Sequence, residues 1–271
     1  MTAIALTIAG SDSCGGAGIQ ADLKIFSALK VYGASVITAL TAQNTQRVEA
    51  VHVVPPDFVV AQMRAIASDL RVDAIKIGML ATGPVIEAVA EGLKDYPRVP
   101  VVLDPVMIAA SGDPLLDPEA VDALRSILMP LATLITPNLA EAAALLATSP
   151  ARNEYEMAVQ AWQLKDAGAR AVLVKGGHAK GPTATDILFA GVEPQSFEAP
   201  RANTRNTHGT GCALSAAIAA EVAKGASLSE AVASAKAYVT AAILAADTLD
   251  VGKGRGPVHH FHDWWDEDDT A

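Results

Sequence analysis

Short runs of Val, Ile and Leu alternate with alanine-rich, helix-forming runs along the whole chain, and that alternation leaves few ways to fold. Apolar strands separated by helices form a mostly parallel sheet buried between helical layers. The 271 residues suffice for one large α/β domain with a well-buried core, or for two small ones. No Pro/Ser-rich linker, charge block or internal repeat divides the chain, so a single domain over 1–271 is expected.

Charge and composition narrow the function classes. A net charge of −10 and a pI near 5.0 argue against nucleic-acid binding, which needs a basic face, but leave room for a local phosphate site. Two cysteines and an N-terminus without a basic region predict a reducing cytoplasm and no disulfide framework. No uninterrupted apolar run reaches the roughly 18 residues of a bilayer span. The alanine-rich C-terminal helix carries Lys236, Tyr238 and Asp247, so no membrane association is expected.

Taken in order, Ile4–Ala9 reads as a buried strand, Gly10–Gly18 as a glycine-rich turn and Ile19–Leu29 as a helix. The spacing Gly15-Gly16-x-Gly18 is not the dinucleotide fingerprint, and the G-K-[ST] of a P-loop is missing. Asp22, one turn into the helix, either points a carboxylate into a pocket or stabilises the helix start from the surface. An apolar run, Gly33–Gln43, is followed by an antiparallel or edge strand, Val48–Val54, and a helix from Pro56 to about Leu70. Strands Ala74–Gly78 and Val99–Leu103 flank a helix, Val85–Leu93. A loop, Ile108–Leu116, a helix, Pro118–Leu128, and a strand, Thr133–Thr136, come next.

That strand delivers Asn138-x-x-Glu141, which is either a capping box alone or an acidic helix start that holds Mg²⁺ through waters beside a polyphosphate. Asp104 from a neighbouring strand end can join it. Strand Arg170–Val174 ends in Lys175-Gly-Gly-His178, where a lysine can lie over a phosphate as a point charge. Thr183–Ala190 and Gln195–Ala199 look like paired antiparallel strands, and a helix from Leu228 to Ala246 carries Lys236. Three histidines cluster in the tail, at 259, 260 and 262. With no acidic or Cys partner at a fixed spacing, terminal packing through Phe261, Trp264 and Trp265 is the better reading.

The stretch Asn206-Thr-His-Gly-Thr-Gly-Cys-Ala-Leu-Ser215 runs straight into a helix-forming run. Backbone N–H groups and the helix dipole there suit an anion, and Gly209 and Gly211 permit its close approach. Cys212 falls in the first turn, where a lowered thiol pKa is expected; the plainer alternative is a glycine-rich helix start with a buried cysteine. The strand ends thus present Asp22, Gln43, Asp104, Asn138 with Glu141, Lys175 and the Gly209–Cys212 loop in one row, where open parallel sheets bind ligands. An anion hole, a lysine and a Mg²⁺ site together describe phosphoryl transfer.

Seven ordered motifs carry a family resemblance. The first three are Ala9-Gly-Ser-Asp-x-x-Gly-Gly-Ala-Gly-Ile-Gln-Ala-Asp22, Ile37-Thr-Ala-Leu-Thr-Ala-Gln-Asn44 and Lys76-Ile-Gly-Met-Leu80. Asp104-Pro-Val-Met107, Thr136-Pro-Asn-x-x-Glu141, Lys175-Gly-Gly-His178 and Asn206-Thr-His-Gly-Thr-Gly-Cys212 follow. In this order they resemble the hydroxymethylpyrimidine/phosphomethylpyrimidine kinases of thiamin biosynthesis, within the ribokinase-like superfamily. The resemblance implies a three-layer α/β/α sandwich with a central, mostly parallel sheet flanked by helices. It implies an ATP- and Mg²⁺-dependent enzyme that phosphorylates 4-amino-5-hydroxymethyl-2-methylpyrimidine and then its monophosphate, and a homodimer.

By the same resemblance, Asp22 and Gln43 would hydrogen-bond the aminopyrimidine, with Gly10, Met79 and Val106 lining its pocket. Cys212 would be the base, standing where ribokinase-like sugar kinases carry the Asp of Gly-x-Gly-Asp. The Gly209 and Gly211 amides would hold the transferred phosphoryl group. Lys175, Lys236, Thr207, Thr210 and Asn138 would serve ATP, and Asp104, Asn138 and Glu141 the Mg²⁺. Two departures stand out: Ala110, where relatives often have Lys, and Cys14, where they have small polar residues. The competing readings are a pyridoxal kinase on the same framework and a non-catalytic vitamin-binding module.

Overall fold

In the computed structural model, residues 1–109, 112–177 and 181–265 are described. The first strand, β1 (Ile4–Asp12), is apolar on both faces and lies inside the sheet, between β2 (Tyr32–Gln43) and β4 (Ala74–Ile77). Parallel pairing continues through β5 (Val101–Leu103), β6 (Leu134–Ile135) and β7 (Val172–Val174). Antiparallel strands close both edges. At one edge β3 (Val48–Val53) pairs with β2; at the other β8 (Thr183–Phe189) pairs with β7 and β9 (Gln195–Pro200) with β8. Among the described residues this makes one nine-stranded sheet in the order β3-β2-β1-β4-β5-β6-β7-β8-β9.

The two-residue period of a strand sorts its side chains into two cores. Leu6, Ile8, Val101, Leu103, Ile135, Val172 and Val174 face one, under α2 (Pro56–Ala67), α3 (Gly83–Gly92), α5 (Leu139–Leu146) and α6 (Glu154–Asp166). Ala5, Val102, Leu134 and Leu173 face the other, under α1 (Gly18–Ala28), α7 (Thr210–Ala223) and α8 (Leu228–Leu244). The result is the three-layer sandwich with a mostly parallel sheet. Helix α7 is the most enclosed, with every residue from Ala213 to Ala220 buried. Its small side chains let it lie close to both α1 and α8. Leu228–Thr248 is long and apolar enough by composition to cross a bilayer. Here it buries Ala231, Val232, Ala235, Val239 and Ala242 in the second core and pairs its Lys236 with Asp186.

Most expected elements are present within a few residues. β1 runs past Ala9 to Asp12, with a register shift between Ala9 and Ser11 that marks a bulge at Gly10. The expected helix Pro118–Leu128 is a short α4 (Ala120–Ala123) that widens into a π-turn over Leu124–Leu128 ahead of Pro130. Helix α6 has no counterpart in the sequence reading. Its buried stripe, Met157, Gln160, Ala161 and Leu164, includes a glutamine, and exposed Tyr155 and Trp162 blur the period. The terminal aromatics pack as expected: Phe261 stacks on Trp265 at 5.6 Å, and Trp264 Nε1 donates to Ala28 O at 3.0 Å.

Gly18, where the β1–α1 turn enters the helix, is tightly constrained. Gly18 has φ +57°, and a Cβ there would lie 2.3 Å from the Gly10 carbonyl oxygen. Gly18→Ala is expected to destabilise the protein by about 1–3 kcal/mol. Urea unfolding measures this, and an unchanged midpoint would mean that the turn relaxes without cost.

Candidate active site at the carboxyl edge of the sheet

Register sets the site. Ile8 pairs with Ile77, Ile77 with Leu103, Leu103 with Ile135 and Ile135 with Val172. The residues just beyond these pairs therefore reach the same edge of the sheet: Gly10–Asp12, still paired with β2, then Gly78–Met79, Asp104, Thr136–Asn138 and Lys175. The start of α7 closes over them. Gly209 has φ +79°, and a Cβ there would lie 1.9 Å from Gly16 O, so glycine lets this loop sit against the β1–α1 turn. A Cβ on Gly211 would lie 3.3 Å from Lys175 Nζ and 3.7 Å from Asp104 Oδ2. The glycine loop and the strand-end charges therefore converge.

Cys212 follows Gly211 in the first turn and is half-buried. The lowered thiol pKa expected of a helix start is not what this setting produces. Burial pushes the thiol up; Lys76 opposes this, Asp22 and Asp104 reinforce it, and the Gly18 backbone N–H favours the thiolate. Dehydration and two carboxylates outweigh one lysine and one backbone N–H.

Asp22 also differs from expectation. It is fully buried, and its Oδ2 accepts from Thr7 Oγ1 at 2.6 Å and from Lys76 Nζ at 2.8 Å. The carboxylate is thus held between α1, β1 and β4, away from solvent. Its Oδ1 has no hydrogen-bond partner among the described residues. Burial raises the Asp22 pKa and Lys76 lowers it. For Lys76, burial favours the neutral amine, but Asp22, Cys212 and Asp104 outweigh it and raise its pKa, so the amine stays charged. Sequence reading gave Lys76 no role. A lysine inside the apolar strand Ala74-Ile-Lys-Ile77 was the available signal, because a fully buried lysine needs a partner.

Asp104, Lys175 and Glu141 form a second buried group. Lys175 Nζ lies 2.6 Å from Asp104 Oδ1 and 3.9 Å from Glu141 Oε2. Thr136 Oγ1 at 3.2 Å and Ser215 Oγ at 3.3 Å also donate to Asp104. Burial lifts Glu141 to about 7; Lys175 pulls it down and Asp104 pushes it up. The capping box is complete: Asn138 Oδ1 accepts from the Ala140 and Glu141 amides, and Glu141 Oε2 accepts from Asn138 N. The Asn138 side-chain oxygen is therefore committed to the helix start. Two carboxylates with oxygen donors only, crowded enough to raise one of them, fit a hard divalent cation such as Mg²⁺.

Other expected ATP-side residues stand apart from this group. Lys236 Nζ pairs with Asp186 Oδ2 at 2.7 Å, and Asp186 Oδ1 accepts from Gly176 N at 2.9 Å, so this lysine braces the backbone after Lys175. Thr210 Oγ1 donates to Thr207 O within the turn, and Thr207 is exposed. Ala110 and His178 lie outside the described residues.

The residues expected to line a pyrimidine pocket are placed as follows. Met79 and Val106 share a small apolar cluster with Ala39 and Ala81, and Gly10 leaves room for Met79, whose Sδ would meet a Cβ at 2.9 Å. Gln43 Oε1 accepts from Thr41 Oγ1 at 3.2 Å, and its Nε2 lies 3.4 Å from His208 Nε2. Sequence reading also gave no role to His208 or Asp12, which meet at 2.8 Å. Burial acts to lower the His208 pKa, but Asp12 and Cys14 carry it up to about 9. Burial acts to raise Asp12, but His208 and Cys14 bring it down to about 2. A cavity of about 730 Å³ lies elsewhere, lined by Asn203–Asn206, Asp247 and Leu249–Gly252, and none of the converging charges line it.

The phosphomethylpyrimidine kinase family profile matches residues 12–259. The chain belongs to this family. A hydroxymethylpyrimidine/phosphomethylpyrimidine kinase of Rhizobium meliloti is 62% identical over 98% of this chain and 99% of that protein. The enzyme of the same name from Escherichia coli is 57% identical over 96% and 98%. Among solved structures, the ADP complex of Bacillus subtilis pyridoxal kinase is 40% identical, with a TM-score of 0.88 over 96% of this chain and 98% of that one. The phosphomethylpyrimidine kinase of Clostridium difficile is 43% identical, with a TM-score of 0.78 over 89% and 99%. This kinase family thus accounts for the ribokinase-like fold and for ATP as the phosphoryl donor.

Two outcomes test the electrostatics of the site. Lys76→Met leaves Asp22 buried without a counter-charge and is expected to cost about 3–5 kcal/mol in urea unfolding. Adding Asp22→Asn should recover much of that loss; a double variant as unstable as the single one would show that charge is not the cause. For Glu141, the folded value of about 7 lies above the ordinary 4.5, so its contribution to stability is present below pH 4.5 and lost as pH rises to 7. The melting temperature of Glu141→Gln relative to wild type should therefore climb between those pH values and level off above them. A constant difference would mean that Glu141 does not titrate there.

Proposed function

We propose that this chain is a single-domain kinase that transfers the γ-phosphoryl group of ATP to 4-amino-5-hydroxymethyl-2-methylpyrimidine and then to its monophosphate. The observation that carries this reading is the convergence of Cys212, the Gly209–Gly211 turn, Lys175 and Asp104; Gly10, Gln43, Met79 and Val106 would wall the pyrimidine pocket beside them. ATP supplies the phosphoryl group, and Mg²⁺ would neutralise its phosphates from a position held by Asp104 and Glu141. Lys175 places a positive charge against the same group, and the backbone amides at the start of α7 donate to its oxygens. Asn138 orients Glu141 through the capping box.

Cys212 accepts the proton of the attacking hydroxyl. With its thiol pushed up, only a small fraction is thiolate near neutral pH, and Lys76 and the Gly18 N–H supply what stabilisation it has. Gln43 reads the polar edge of the ring, while Asp22 acts from below by holding Lys76. A cytoplasmic homodimer is the proposed state; exposed Leu40 and Val51 on the sheet edge suit contact with a second copy, and light scattering would report it.

Pyridoxal is the competing substrate, because the solved pyridoxal kinases share this fold closely. An ATP-consumption assay with the pyrimidine alcohol, its monophosphate and pyridoxal separates the two readings. Turnover of both pyrimidines supports the proposal, and turnover of pyridoxal alone would overturn it. Cys212→Ala is expected to lower kcat by about 10²–10⁴ while pyrimidine binding persists. Wild-type activity should still be rising at pH 9 as the thiol ionises. Full turnover by Cys212→Ala would remove it as the base.

A further inference from the structure

We propose that Asp12, Cys14 and His208 form a binding site for a borderline-soft divalent cation, Zn²⁺ in particular, at the rim of the pyrimidine pocket. One ligand atom from each of Asp12, Cys14 and His208 lies within 4.8 Å of the other two. Asp12 Oδ2 is 2.8 Å from His208 Nε2 and 3.4 Å from Cys14 Sγ. Ligands around a tetrahedral zinc are separated by about 3.3–3.8 Å, given Zn–N and Zn–O bonds near 2.1 Å and Zn–S near 2.3 Å. Opening the Asp12–His208 contact by roughly half an ångström would bring that pair to this spacing; Cys14 and His208, within 4.8 Å of each other, would complete the set with water in the fourth position.

The surroundings hold the ligands in place. Asp12 Oδ1 accepts from Cys14 N at 2.9 Å, and Oδ2 accepts from Gly16 N at 3.1 Å and Ala17 N at 2.8 Å, which fixes the carboxylate against the glycine turn. His208 comes from the distant α7 loop and packs on Gly16, where a Cβ would lie 2.4 Å from its Cδ2. Gly209, which allows the close approach of these loops, is its neighbour. Hydrogen-bonded carboxylates and constrained imidazoles are the outer support that metal ligands usually have. Elsewhere, the tail histidines do not join such a group among the described residues.

Ligand chemistry separates this site from the Mg²⁺ position. Thiolate and imidazole favour zinc, whereas Asp104 and Glu141 offer only oxygen. Gln43 Nε2 stands 3.4 Å from His208 Nε2, so a cation that engages this nitrogen reorganises the pocket wall and opposes the pyrimidine. The antagonism rests on the proposed function; the binding does not.

The test uses the reduced full-length chain, titrated with Zn²⁺ against a chromophoric chelator and with Co²⁺ as a spectroscopic probe. One equivalent should bind, with a thiolate-to-Co²⁺ charge-transfer band. Cys14→Ser and Cys14→Ala should weaken it at least 10- to 100-fold, since even outer partners are worth about that much. Cys212→Ala should keep both the affinity and the band. Binding unchanged in both Cys14 variants, or lost in Cys212→Ala instead, would overturn the site. In kinetics, Zn²⁺ should raise the KM for the pyrimidine, but not for ATP, in wild type and not in Cys14→Ser. An unchanged pyrimidine KM with zinc bound would overturn the antagonism.

Discussion

A fully buried lysine–carboxylate pair underlies the rest of the site. Lys76 on β4 and Asp22 on α1 meet at 2.8 Å with no exposure to water, and Thr7 of β1 donates to the same oxygen. Removing two charges from water costs several kcal/mol each, and only close pairing with further hydrogen bonds repays it. The pair therefore holds a helix and two strands at one separation. It also places a positive charge under Cys212, where it opposes the burial that suppresses the thiolate.

The same logic governs the second charge group. Asp104 serves Lys175, Thr136 and Ser215 together, so a single carboxylate joins β5, β6, the end of β7 and α7. Glu141 carries the unrelieved part of the negative charge. Such crowding disfavours the empty site and favours one that holds cationic and phosphate groups in balance. Function and stability pull against each other here, as expected where charge is gathered for catalysis.

Much of this was legible in the amino-acid order because some signals are local. Strand and helix periods depend on neighbouring residues, and the Asn138–Glu141 capping box spans a single turn. The glycines at 209 and 211 mark the turn into α7, where the backbone comes close to its neighbours. Other features were not legible. Asp22 in its motif could face a pocket or a core, and nothing nearby in the chain separates the two. The position of Lys236 opposite Asp186 depends on how α8 settles against β8.

Sequence alone was enough for the layered α/β architecture, the row of polar strand ends and the family, because periodicity and ordered motifs survive without coordinates. Charge states were another matter. The sign of the Cys212 shift sums burial with Lys76, Asp104 and the α1 residues Gly18 and Asp22, which come from three separate segments of the chain. The meeting of Cys14 and Asp12 with His208 joins residues almost 200 positions apart, 196 between Asp12 and His208. Electrostatic energy depends on distance and solvent exposure, and both exist only once the chain has packed.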